Sequence, residues 1–73
     1  MLYQQQVIRE CTEQIEAKPK NPNHYFNRAQ AYKEIGDYNA AIADLTRAIH
    51  MSPNSPQAYL LRGTIYYNLK DYL

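Results

Sequence analysis

The sequence predicts an all-α chain of four helices packed as antiparallel hairpins, and three observations carry that prediction. The first is a 34-residue echo, in which Asn21-Pro22-x2-Tyr25-x2-Arg28-x3-Tyr32-x4-Asp37-Tyr38 returns as Ser55-Pro56-x2-Tyr59-x2-Arg62-x3-Tyr66-x4-Asp71-Tyr72. Ile8, Thr12, Ile15 and Pro19 anticipate Ile42, Thr46, Ile49 and Pro53 at the same spacing. A period of this length built from helical patterns implies units that stack on one another as a solenoid. The second observation is that apolar residues recur three and four apart, while no segment alternates with a period of two. The third is a set of regularly placed cap and proline signals that separate one helical pattern from the next.

The first helix falls between Gln4 and Ala17, where Val7, Ile8, Cys11 and Ile15 share a face and Gln, Arg and Glu lie between them. The run Lys18-Pro19-Lys20-Asn21 ends it. Asn21 then caps a second helix that starts at Pro22, because a proline in the first turn gives up only an N–H that has no helical partner. Tyr25, Ala29, Tyr32 and Ile35 share its face, and Gly36 supplies the left-handed residue that ends many helices. Asp37 caps a third helix from Tyr38 to about Met51, with Ala41, Ile42, Leu45, Ala48 and Ile49 in helical period. Ser55-Pro56 opens a fourth, with Tyr59, Gly63, Tyr66 and Leu69 expected on its packing face. Tyr66-Tyr67 has strand propensity, but a helical frame surrounds it. Short connections favour antiparallel neighbours.

Seventy-three residues make one small domain of marginal stability on its own. Eight basic and seven acidic residues are scattered along the chain to a net charge of +1, which leaves no electrostatic footprint for nucleic acid or for a membrane surface. Lys18 and Lys20 read as a solvated turn. Cys11 is the single cysteine, with no internal disulfide partner, and its place on an apolar face makes it a small core residue. The chain has no apolar run of roughly 18 residues and no signal-peptide pattern, so the default compartment is cytoplasmic. Five of its eight tyrosines, Tyr25, Tyr32, Tyr38, Tyr59 and Tyr66, fall on the repeat or on helix-face spacing and read as large packing elements between helices.

Catalysis requires convergent polar groups, and the candidates are sparse. His24 and His50 lie on different helices with no ligand-spaced partner, Glu10, Glu13 and Glu16 form a solvated face, and neither Gly36 nor Gly63 belongs to a phosphate-binding loop. No enzyme activity, metal or cofactor is implied.

With Tyr25, Ala29, Tyr32, Gly36, Tyr38, Ala41, Leu45, Ala48 and Pro53 at their observed offsets, the chain resembles the tetratricopeptide repeat (TPR) family. The resemblance implies a single domain over 1–73, a fragment of a right-handed superhelix. Residues 22–55 would form a complete repeat, 1–21 the second helix of a preceding one, and 56–73 the first helix of a following one. Arg28 and Arg62 stand in a slot that is often leucine in the family, and Lys70 replaces the glycine found at Gly36. Small residues, Ala29, Ala41, Ala48 and Gly63, are expected to allow close helix approach.

The resemblance further implies a protein–protein interaction module that holds a peptide or protein segment on a concave face lined by the first helix of each repeat. Carried over residue by residue, that face is Asn23, Phe26, Asn27, Gln30, Lys33 and Glu34, followed by Gln57, Leu60, Leu61, Thr64, Tyr67 and Asn68. Family members that clamp acidic chaperone tails use lysine, arginine and asparagine at set groove positions. Only Asn27 matches here, which disfavours that ligand. The incomplete ends suggest a second role, self-association into a homo-oligomer through Val7, Ile8, Cys11 and Ile15 at one end and Tyr59, Ile65, Tyr66 and Leu69 at the other. A mainly structural oligomerisation module is the alternative, as is a piece of a longer repeat protein whose activity lies elsewhere. Replacing Ala41 with leucine is expected to overpack the central hairpin and cost about 1 to 3 kcal/mol; an unchanged thermal midpoint would remove Ala41 from the core.

Overall fold

Asn21 begins the best-defined local structure: its backbone is extended, its Oδ1 accepts the N–H of Asn23 at 3.0 Å, and Pro22 takes the first helical position. The computed structural model describes residues 2–70 and contains four helices, α1 (Leu2–Ala17), α2 (Pro22–Glu34), α3 (Tyr38–Met51) and α4 (Pro56–Lys70), with no strand among the described residues. Each coincides with one of the amphipathic stretches of the sequence. Asp71 and Tyr72, the second copy of Asp37-Tyr38, lie with Leu73 outside the described residues.

The turn between α2 and α3 is built from three adjacent residues. Gly36 adopts φ +85°, a conformation that costs an L side chain steric strain. With the chain reversed there, the Gly36 N–H donates to the Lys33 carbonyl at 3.0 Å and the Asp37 N–H to the Tyr32 carbonyl at 2.9 Å, which satisfies carbonyls the helix end would leave open. The Asp37 side chain then accepts the Ala40 N–H at 3.3 Å and caps α3. At the other end of α3 the Ser52 N–H donates to Ala48 at 2.9 Å, just before Pro53.

Substantial helix packing runs between sequence neighbours, α1 on α2, α2 on α3 and α3 on α4. The result is a slab of 36 × 32 × 14 Å, the shape of stacked hairpins rather than of a closed bundle. Its main core joins α2, α3 and α4 through Ala29, Ala41, Leu45, Ile49, Ala58 and Ile65, with Phe26, Tyr32, Tyr38, Ile42 and Leu61 packed partly buried against it. Ala29 and Ala41 are fully buried, so small side chains do occupy the close approach between α2 and α3. A second cluster, Ile15, Tyr25 and Ala48 with Met51 against it, ties α1 to the central hairpin. Cys11 is buried beside it in α1, and burial pushes its thiol pKa up, partly offset by the positive charge of Arg28.

The packing face of α4 differs from expectation. Ala58 and Ile65 turn inward and Leu61 is half-buried, whereas Tyr59 and Tyr66 remain 46% and 53% exposed. Gly63 makes no close helix approach, since a Cβ placed there would meet nothing within 4 Å. The reason is geometric: α4 lies chiefly on α3 through the stripe 58, 61 and 65. The stripe 59, 63 and 66 is the counterpart of Tyr25, Ala29 and Tyr32 in α2, which α3 covers, and no described helix covers it in α4. Tyr59 and Tyr66 are therefore not packing elements among the described residues. Substituting Gly36 with alanine is expected to cost about 1 to 2 kcal/mol. With nothing within 4 Å of the added Cβ, a lowered thermal midpoint would report backbone strain alone, and an unchanged one would show that the turn relaxes freely.

Candidate functional site

A charged residue interrupts the apolar run of α3. Asp44 is 5% exposed, the one buried charged residue among those described, and it lies between Ala41 and Leu45, which are fully buried. An unpaired carboxylate there would be costly. Arg28 of α2 meets it in a two-point pairing, Nε donating to Oδ2 and Nη2 to Oδ1, both at 2.7 Å. The third guanidinium nitrogen, Nη1, donates to Thr12 Oγ1 of α1 at 3.1 Å, and that hydroxyl donates onward to the Ile8 carbonyl at 2.7 Å. The Tyr25 and Tyr32 rings flank the guanidinium, each with its centroid at 5.8 Å. The hydrogen bond to Asp44 holds the Arg28 pKa above its ordinary value, outweighing the opposing effect of burial. One side chain thus fastens three helices.

The same arrangement recurs in half. Arg62 Nη1 donates to Thr46 Oγ1 at 3.4 Å and its guanidinium lies 5.6 Å from the Tyr59 centroid, repeating the bond of Arg28 to Thr12 one period later. No salt bridge to Arg62 is formed among the described residues. Sequence reading passed over this network because it treated Arg28 as a tolerated variant of an apolar slot and gave Asp44 no role. The available signal was a lone charge within the apolar period of α3, sixteen residues from an arginine that itself repeats.

The expected groove residues are largely at the surface. Asn23, Asn27, Gln30, Glu34, Gln57, Leu60, Thr64 and Tyr67 are exposed, and Lys33 and Asn68 are half-exposed. Leu60 and Tyr67 are the exposed large apolar side chains among them, at 73% and 69%. Phe26 and Leu61 differ, being half-buried and packed against the core between α2 and α4. Two concavities divide the face. A cleft of about 440 Å³ has Asn27, Gln30, Lys33, Glu34 and Leu61 on its walls, with Val7, Cys11 and Ala31 also lining it. A smaller one, about 260 Å³, brings Asn23, Phe26 and Gln57 together at the junction of α2, α3 and α4. Leu60, Thr64 and Tyr67 line neither, and are spaced along α4 as one helix face.

The expected self-association edges separate into open and closed positions. Ile65 is fully buried in the main core, and Cys11 and Ile15 are 9% exposed, so these three serve the interior of this chain. They point inward because α1 and α4 already spend one face on the central hairpin. Tyr59 and Tyr66 are open, and Val7, Ile8 and Leu69 are half-exposed. Among the described residues no group of three or more histidine, cysteine or carboxylate side chains could hold a metal ion, and no helix is long and apolar enough to cross a membrane.

Two family comparisons agree with this architecture. The TPR repeat family matches residues 29–70, and the tetratricopeptide repeat family matches residues 11–43. No curated protein matches the sequence. Repeats of this kind are generally protein–protein interaction modules and typically non-catalytic. Four stacked helices, the 34-residue period and the two overlapping matches lead to one conclusion: the chain belongs to the tetratricopeptide repeat family.

Proposed function

We propose that this chain captures an extended segment of another protein across the exposed faces of α2 and α4. The observation that carries this reading is the pair Leu60 and Tyr67, large apolar side chains of α4 left 73% and 69% exposed, while α2 exposes amides of its own. Fold stability does not call for them there, and aromatic and aliphatic side chains next to hydrogen-bonding groups suit recognition of a peptide. Asn27 and Gln30 offer amide donors and acceptors to a peptide backbone, Lys33 adds a positive charge, and Thr64 supplies a hydroxyl further along. Asn23 and Gln57 extend the polar rim past the half-buried Phe26, while Leu61 contributes apolar floor. In this reading α2 and α3 form a complete repeat over 22–55, with α1 the second helix of one neighbour and α4 the first helix of the other.

Self-association is a second reading, favoured by one contrast. Tyr25 is 4% exposed beneath its neighbours, whereas Tyr59, its counterpart one period later, is 46% exposed. A module can do both.

Peptides selected from a random displayed library against the chain are expected to lose at least about tenfold in affinity for the Leu60→Ala, Tyr67→Ala double variant, with helicity unchanged by circular dichroism. Equal affinity for both proteins would remove these two side chains from the binding surface.

A further inference from the structure

Within the chain, an arginine of one helix reaches sixteen residues back to a threonine and sixteen on to a carboxylate: Arg28 to Thr12 and Arg28 to Asp44. Arg62 has the first half of this set in Thr46. No described residue supplies the second half. The residue one period before Asp44 is Glu10, on α1, whose carboxylate is exposed and accepts only a 3.3 Å bond from Gln6 among the described residues. Among the described residues no carboxylate pairs with Arg62 and no cation with Glu10, and the repeat gives Glu10 the place that Asp44 holds.

We propose that α4 of one copy docks beside α1 of a second copy in the arrangement that α2 makes with α3, with Arg62 pairing to Glu10 of the second copy. The proposal rests on the self-association reading and specifies its joint. The surfaces match around that ion pair. Where Ala29 meets Ala41 and Leu45 inside the chain, Gly63 would meet Val7 and Cys11, so the larger Val7 fills space left by the smaller Gly63 and Cys11. The cover that Tyr25 receives from Ala48 would come to Tyr59 from the stem of Gln14. Val7 and Cys11 line the α1 side of the open cleft whose opposite wall is Asn27, Gln30, Lys33 and Glu34, so the second copy would sit on the α1 side and share the cleft with a segment held along α2.

Because the two surfaces differ, the contact is head-to-tail and repeats from copy to copy rather than closing as a symmetric pair. It lays the Leu60 and Tyr67 face of α4 alongside α2 of the next copy, so stacking lengthens the recognition surface.

Sedimentation of the 73-residue chain and two charge reversals tests the joint. Glu10→Arg and Arg62→Glu are each expected to weaken self-association at least about tenfold, because each sets like charges opposite one another. An equimolar mixture of the two is expected to associate as the parent does, since every joint between unlike variants regains opposite charges. Arg62→Gln, kept in case the reversal disturbs the bond to Thr46, should weaken association without being rescued by Glu10→Arg. Circular dichroism confirms that each variant is folded. Association indifferent to the reversals, or no recovery in the mixture, would overturn the joint and leave self-association standing. A chain that stays monomeric at about millimolar concentration would overturn both, leaving the open face of α4 to a further helix or another protein.

Discussion

The Arg28 guanidinium is the constraint around which these helices are arranged. Hydrophobic burial drives the hairpins together but is non-directional, and a surface of Ala, Leu and Ile tolerates sliding by a fraction of a turn. Asp44 does not. Set among fully buried neighbours, it must meet a donor, and the planar fork of Arg28 satisfies it only when α2 and α3 sit at one axial offset. Thr12 takes the remaining nitrogen and fixes α1 against the same pair. A buried ion pair adds less net stability than its Coulomb attraction suggests, because both charges are stripped of water. Its effect here is on register: three helices share one point of reference, and Tyr25 and Tyr32 hold that point between their rings.

From that register follows the contrast between the middle of the molecule and its ends. In the middle, Ala29 and Ala41 let α2 and α3 approach closely, and Leu45 and Ile49 fill the space toward α4. On α4 the same repeat positions are exposed as Tyr59, Gly63 and Tyr66, and on α1 Val7 is half-exposed and Glu10 exposed. A stacked repeat does not finish its own surface; each unit leaves a face for the next. The proposed recognition face and the uncovered stripe of α4 are consequences of one architecture, the first formed by helix faces pointing away from the stack and the second by a face pointing along it.

Much of this was legible in the residues. The limits of α2 and α3 were encoded by Asn21-Pro22, Gly36-Asp37 and Pro53, because caps, a left-handed glycine and proline act locally and need no tertiary context. The inward face of α3 was legible for the same reason, since its apolar period is strong. The inward face of α4 was not: apolar side chains occur all around it, and only its packing against α3 decides that Ala58 and Ile65 turn in while Tyr59, Leu60, Tyr66 and Tyr67 stay out. Gly63 was misread through the same gap, as a contact residue whose partner helix is not among those described. The surface exposure of Asn27, Gln30 and Thr64 followed from the repeat offsets, whereas the partial burial of Phe26 and Leu61 depends on the spacing between α2 and α4. Asp44 escaped notice because a charge in an apolar run acquires meaning only once its partner, sixteen residues away, is in place.

The most direct test of the central role given to Arg28 is a double-mutant cycle with Asp44, measured by equilibrium denaturation of the chain and of the Arg28→Met, Asp44→Leu and combined variants. Each single replacement leaves one buried charge unpaired, while the combination removes both. A coupling of about 3 kcal/mol or more, with the double variant more stable than the Arg28→Met protein, is the predicted result. Single effects that add to within about 0.5 kcal/mol would contradict it, and would mean that apolar packing alone sets the register of the helices.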